Sequence, residues 1–316
     1  MKKVLAILLA LVMVFSFAAC GNKGADAAKI TFATGGAQGT YYAYGTVLAE
    51  YVSDKAGVSV TAITGNGSKT NVEDLDGGDV QMAFCQSDVM SYAYDGTNLF
   101  DKKVGSFSVM AALYMEQVQI VTCNPDIKTV ADLKGKTVSV GAQGSGTYFN
   151  AVDCLSAYGL TMADITPKYL DFGSSTEELK DNKIDAAFVV AGAPTTSITE
   201  LSTSKKAYLV SIDAEHADKL IASNPYYSKN VIAKDAYGLD SDTATVAVAA
   251  MVLVRDDLSE DVVYNITKTI FDGKANIQHA KAADLDPKFA SSVTAVPFHK
   301  GAAKFYSEKG ITVKTK

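Results

Sequence analysis

Two glycine-rich stretches constrain this chain more than anything else in it. The first reads Thr34-Gly35-Gly36-Ala37-Gln38-Gly39-Thr40-Tyr41-Tyr42. The second reads Gly141-Ala142-Gln143-Gly144, inserts Ser145-Gly146 and resumes Thr147-Tyr148-Phe149. Each follows a short β-branched run, residues 30–32 in one case and 137–140 in the other, and each opens a helical pattern, at 44–52 and 152–155. Both are therefore strand-to-helix turns at the C-terminal edge of a sheet. Glycine there lets the backbone approach a ligand, and the free N–H groups of the helix start favour an anion. Two such cradles on one chain predict two lobes gripping one anionic molecule.

The rest of the pattern fits that frame. Strands are expected at 30–32, 58–63 and 80–84, alternating with helices at 41–56, 69–76 and 87–94. This is the order of βα units on a mostly parallel sheet, whose ligands sit beyond the strand C-termini. The loops at Thr34, at Gly65-Asn66-Gly67-Ser68 and at Gln86-Ser87 gather on that edge. A long apolar run then reads as two strands, 108–114 and 118–122, separated by the polar Met115-Glu116-Gln117 and crossing into a second lobe. Residues 129–136 read as a short helix closed by Gly135. The second lobe repeats the alternation, with strands at 168–170, 186–190 and 208–212 and helices at 148–158, 175–182 and 214–223. Gly192-Ala193-Pro194 makes a further bent loop, followed by a helix running to Leu201. Residues 243–254 read as a return strand buried on both faces, and helices at 260–271 and 301–309 pack back on the first lobe. The expected architecture is α/β, with two mixed, mostly parallel sheets joined by a two-strand hinge. Residues 29–117 with 253–316 form lobe I, and 118–252 form lobe II.

Several function classes fall away on composition. The chain has 316 residues and a formal charge of −6 at pH 7, which argues against nucleic acid as a partner. Lys2 and Lys3 precede an apolar run over 4–15, and Phe17-Ala18-Ala19-Cys20 ends it. This reads as a signal peptide over 1–19, lipidation of Cys20 and a tether over 20–28, which places the protein on the outer, periplasmic side of the cell membrane. A monomer is expected. The remaining cysteines, Cys85, Cys123 and Cys154, form no Cys-x-x-Cys pair, and His216, His279 and His299 lie far apart. Neither metal site nor nucleophile–base pair is legible, so no cofactor and no enzymatic activity are expected. Gly67-Ser68-Lys69-Thr70 lacks the order of a phosphate loop, and Asp240-Ser241-Asp242 lacks the other ligands of a calcium loop. Arg255 is the one arginine, and beside Asp256 and Asp257 it reads as a solvated or hinge ion pair, with a lone carboxylate clamp reaching the cleft as the alternative. Recognition then falls to N–H groups, hydroxyls and amides. The candidate ligand-binding residues are Thr34, Gly35, Gly36, Gly39, Thr40, Tyr41, Asn66, Ser68, Asn71, Gln86, Gly144, Ser145, Gly146, Thr147, Gly192 and Pro194.

Phe32-Ala33-Thr34-Gly35-Gly36 through Tyr42, the Gly141 to Thr147 loop, and Asp185-Ala186-Ala187-Phe188 with Gly192 and Pro194 together resemble the TAXI-type solute-binding proteins. So do Tyr237-Gly238 before Thr245-Val246-Ala247-Val248, and His299-x-Gly301-Ala302 through Phe305-Tyr306-x-Glu308-x-Gly310. That family serves TRAP transporters, the tripartite ATP-independent secondary uptake systems. The resemblance implies a two-lobed periplasmic-binding-protein fold. It further implies hinge closure on a small organic anion, such as glutamate, glutamine or a dicarboxylate, and delivery to TRAP permease subunits. One departure stands out: the family's frequent Ser-x-Glu-Asn is here Ser68-Lys69-Thr70-Asn71. The alternative is the same fold serving an ATP-driven importer or acting as a sensor input.

Overall fold

The computed structural model describes residues 28–98 and 100–316; the signal peptide and Cys20 lie outside them. The described residues form ten strands and ten α-helices. In chain order these are β1 (Lys29–Ala33), α1 (Thr40–Lys55), β2 (Ser59–Ile63), α2 (Ser68–Gly77), β3 (Met82–Gln86) and α3 (Ser87–Asp95). β4 (Phe107–Thr122), β5 (Thr137–Ser139), α4 (Gly146–Ala157), β6 (Thr166–Lys168), α5 (Phe172–Lys180), β7 (Ala186–Ala191) and α6 (Thr196–Ser204) follow. The chain ends with β8 (Tyr208–Leu209), α7 (Ala214–Ser223), β9 (Ser228–Ile232), β10 (Thr243–Arg255), α8 (Glu260–Asp272), α9 (Pro287–Ala290) and α10 (Lys300–Glu308).

The expected α/β fold is present, with its two halves hydrogen-bonded into one mixed sheet in the order β2-β1-β3-β10-β4-β7-β5-β6. β1 runs parallel to β2 and β3, and β5 runs parallel to β6 and β7. Between these parallel blocks stand the two long strands, β4 and β10, antiparallel to each other. β10 pairs with β3 over Ala250 to Val254 and with β9 over Thr243 to Ala247. β4 passes from β10 to β7 at Gln117, which faces both Ala247 and Ala191. Each long strand thus belongs to both lobes. On β10 the side chains change cores between Val248, packed with the second lobe, and Ala249, packed with the first. This is nearer the start of the strand than the boundary expected at 253.

Two readings are corrected here. β4 is one unbroken strand, because Met115, Glu116 and Gln117 keep their backbone pairing with Ala249, Val248 and Ala247. The polar triplet changes what the strand presents, not its path. β9 was missed because it is an edge strand paired only with β10, and its Ser228, Lys229 and Val231 are exposed. Such a segment carries little apolar signal. Smaller shifts have local causes: α5 starts at Phe172 because Asp171 caps it, accepting from Ser174 N, and residues 129–136 hold only a 3-10 turn at Val130–Leu133.

The first lobe has one core, which also takes in α8 and α10. The second lobe buries a cluster on each face of its sheet. No helix among the described residues is long and apolar enough to cross a membrane.

Candidate functional site

The strand C-termini of the two lobes face each other across a cleft of about 740 Å³. Lobe I contributes the loop Gly35 to Thr40, the loop Thr64 to Ser68, and Tyr41 and Gln86. Lobe II contributes Ala142, Ser145 to Thr147, Asp171 to Gly173, and Val190 with Ala191 at the end of β7. Glu116 enters from the crossing strand β4.

Four helices begin at this cleft. α1 and α2 start behind Gly39 and Gly67 with no side-chain cap, so their first N–H groups are not claimed by a local side chain. α4 starts behind Ser145, whose Oγ accepts from Tyr148 N at 3.4 Å. α5 starts behind the Asp171 cap. Helix starts carry unsatisfied N–H groups and partial positive charge, which suits an oxyanion.

The lobes touch around the cleft. Gly144 O accepts from Lys69 N at 3.1 Å and Thr70 N at 3.2 Å, so a lobe II carbonyl occupies part of the α2 start. Thr40 Oγ1 donates to Gly192 O at 3.0 Å, and Gln38 Nε2 donates to Glu200 Oε2 at 3.0 Å. Gly146 lies against Gln86 so closely that a Cβ there would fall 1.8 Å from Gln86 Oε1.

Eleven of the sixteen candidate residues line the cleft: Gly35, Gly36, Gly39, Thr40, Tyr41, Asn66, Ser68, Gln86, Ser145, Gly146 and Thr147. The other five sit behind it. Thr34 Oγ1 donates to Ile63 O at 2.6 Å, and Asn71 Nδ2 donates to Thr34 O at 2.7 Å and Phe84 O at 2.8 Å. Those two residues tie the ends of β1, β2 and β3 together. Gly144 and Gly192 offer carbonyls to the opposite lobe, and Pro194 follows Gly192 outside the lining. Arg255 is remote, held by Asp257 at 2.9 and 2.7 Å.

The sequence reading missed Glu116, Asp74 and Asp171, all of which line the cleft. Glu116 had a signal, a carboxylate inside an otherwise apolar run, which was taken for a strand break. It is 2% exposed and accepts from Tyr41 OH at 2.8 Å. The Tyr41 ring is held in turn by stacking on Phe84 at 4.5 Å. Burial pushes the Glu116 carboxyl up to about 8, against the opposing pull of the Tyr41 hydrogen bond. Behind it, fully buried Asp88 is pushed up to about 7 by burial. A polar network joins the lobes there. Gln86 Nε2 donates to Asn150 Oδ1 at 3.0 Å, and Asn150 Nδ2 donates to Asp88 Oδ2 at 3.0 Å and Tyr227 OH at 2.7 Å. Tyr227 OH donates onward to Asp153 Oδ2 at 2.9 Å.

Two lobes sharing two long strands, with parallel blocks whose C-terminal edges face one cleft, define the periplasmic-binding-protein class of fold. Within it the chain belongs to the NMT1-like family, which it matches over residues 32–310. Among solved structures it is similar to the alkanesulfonate-binding protein SsuA from Xanthomonas axonopodis pv. citri bound to MOPS. The identity is 15%, with 90% of this chain and 85% of that one covered and a TM-score of 0.52. PhnD1 from Prochlorococcus marinus in complex with methylphosphonate matches at 10% identity over 81% and 87% of the two chains, with a TM-score of 0.52. A protein of Bordetella bronchiseptica RB50 matches at 17% identity over 90% and 83%, with a TM-score of 0.54. At these identities the likeness is one of fold.

Proposed function

We propose that this chain is an extracytoplasmic solute-binding protein that closes on a small solute bearing an oxyanion head and delivers it to a membrane importer. The observation that carries this reading is the cleft itself, where helix starts from both lobes converge and, among the described residues, two long strands run between the lobes. The hydrogen bonds from Lys69, Thr70 and Thr40 to lobe II carbonyls are those of a closed arrangement. Hinge closure around a ligand is the usual use of such a design. The two matched proteins named for alkanesulfonate and methylphosphonate support an oxyanion head.

For the importer, the sequence resemblance favours a TRAP-type secondary transporter. The alternative, an ATP-driven importer, has the better support from the matched binding proteins. The neighbouring genes separate the two: an ATPase with its permease supports the ATP-driven class, and a fused TRAP permease supports the other. Anchoring through Cys20 completes the reading. Solution scattering tests the core of it. The radius of gyration should fall when a solute that raises the melting temperature is added; an unchanged radius with every stabilising solute rejects closure.

A further inference from the structure

Behind the cleft the lobes also meet along a polar seam that lies outside the cleft lining. From lobe I, α3 presents Asp88 and, one turn on, Tyr92. From lobe II, α4 presents Phe149, Asn150 and Asp153, and the turn before β9 presents Asn224, Tyr226 and Tyr227. Asn150 Nδ2 reaches across to Asp88 Oδ2, and Asn224 Nδ2 reaches across to Tyr92 OH while donating to Asp153 Oδ2 at 3.2 Å. Tyr227 OH stands between, accepting from Asn150 and donating to Asp153. The Tyr92 ring packs on Phe149 at 5.8 Å and edge-on to Tyr226 at 6.0 Å. Asp88 and Asn150 are fully buried, and Tyr227 is nearly so.

The seam holds one carboxylate from each lobe and no counter-ion. The titratable groups that bear on Asp88 are Asp153 of α4, Glu116 of β4, Cys85 of β3, Tyr92 of its own helix and Tyr227, and not one of them is a cation. Asp88 Oδ1 has no hydrogen-bond partner among the described residues. A carboxylate buried in this way gives up its hydration for little in return. Burial prevails over the pull of the N–H groups at the start of α3, so the Asp88 carboxyl rises to about 7, and burial raises that of Asp153 as well.

Opening the hinge removes the cover of this carboxylate, because Asn150 and Tyr227 leave with lobe II while Asp88 stays on α3 with lobe I. Water then restores an ordinary carboxylate. We propose that closure on a solute takes up a proton at this seam, on Asp88, so that solute binding strengthens as pH falls. The proposal rests on the hinge reading above and adds a regulator to it, separate from whatever the cleft recognises. With a closed value of about 7 and an open value in the ordinary carboxylate range, the advantage of the closed form is present below pH 7 and lost as pH rises through it.

Thermal-shift screening of the mature protein with L-glutamate, the other common amino acids, succinate, glutarate, ethanesulfonate and methylphosphonate selects a probe. Calorimetry then follows the affinity for that probe from about pH 6 to about pH 8.5. Asp88→Asn, titrated beside the parent, keeps the shape and the bond from Asn150, and cancels any titration of the probe itself. Over that range the parent should lose about tenfold more affinity than Asp88→Asn, the ratio expected when closure lifts one carboxyl from its ordinary value to about 7. Asp88→Ser is a second neutral replacement should the first fold poorly. The buffer dependence of the heat reads the same link in unaltered protein, as an uptake of about half a proton or more at pH 7. Parallel pH profiles, or heats that show no uptake, overturn the proton link and leave the solute-binding reading standing. Silence from every probe overturns both.

Discussion

In lobe I the glycine cradle starts its helix with no side-chain cap, whereas in lobe II Ser145 caps the helix that follows the matching loop. The difference runs through both loops. Thr40 of lobe I turns its hydroxyl away from its own helix to Gly192 of lobe II, while Gly146 of lobe II presses its bare Cα onto Gln86 of lobe I. One sequence motif therefore gives two local structures: an uncapped helix start in lobe I, and in lobe II a flat surface packed against the other lobe. Glycine matters at Gly146 for lack of a side chain, whereas at Gly36 a Cβ meets nothing within 4 Å.

The sharpest way to break this comparison is to put a methyl group on each loop. Gly146→Ala sets a Cβ against Gln86 Oε1 and Ser68 Oγ, and Gln86 cannot swing away without losing Asn150. The closed form should become inaccessible, lowering affinity by at least about 100-fold because binding draws on the closed population. Gly36→Ala should change affinity by less than about threefold. Titration of both variants against one ligand decides it; equal losses would mean that both loops act through the backbone alone.

The next effect comes from charge. Glu116 and Asp88 have carboxyls raised by burial to about 8 and about 7. On lobe II, Asp132 and Asp164 are held low by backbone N–H groups of Lys128 and Thr129 and of Thr161. A raised folded-state value means the native protein holds protons that the unfolded chain has released. Stability must therefore fall as pH rises from the unfolded value through the folded one. The lobe II carboxylates have finished contributing well below pH 6.5, and the lowered His279 and His299 add a small opposing gain that ends once the unfolded chain's imidazoles have lost their protons just above that point. Between pH 6.5 and 8.5 the ligand-free protein should lose about 2 kcal/mol of stability. Glu116→Gln should flatten the slope. Melting curves across that range with no slope would mean that neither acid is protonated in the native state.

Smaller still is the exchange of hydroxyls. Thr40→Val removes a bond between lobes and should weaken binding about fivefold to tenfold with little change in melting temperature. Ser145→Ala removes a helix cap and should cost about 1 kcal/mol of stability, with a smaller effect on affinity. Measuring both quantities for both variants sharpens the contrast; a Ser145→Ala loss seen only in affinity would make its hydroxyl a ligand contact.

What was legible in advance follows the same division. The cradles could be found because strand, glycine and helix start are local signals, and eleven candidate residues do line the cleft. Glu116 could not be assigned, since a carboxylate inside an apolar run looks like an interruption until the pairing of β4 with β10 carries the strand through it. Gln86 was chosen as an amide, yet the bond that orients it comes from Asn150, sixty-four positions away. Contacts of that kind follow from which loops the topology brings together. The edge strand β9 was hidden for a third reason, being too polar for its length to announce itself.

The smallest expected effect lies outside both cradles. Arg255 is the chain's one arginine, and a fork of N–H donors is the usual means of holding a carboxylate in two places at once. Here the fork is already filled by Asp257, with Nη1 turned to Leu75 O at 3.4 Å, and the residue is absent from the cleft lining. Lysine keeps the charge and gives up the second hydrogen bond to a carboxylate that is itself well exposed, together with the long one to Leu75 O. Arg255→Lys should therefore leave affinity within about twofold of the parent, since nothing it touches is shared with either lobe's loop. A tenfold loss on titration would be the most damaging result for the cradle picture. It would mean that the oxyanion is gripped by an arginine brought in from the end of β10, with the helix starts only bystanders.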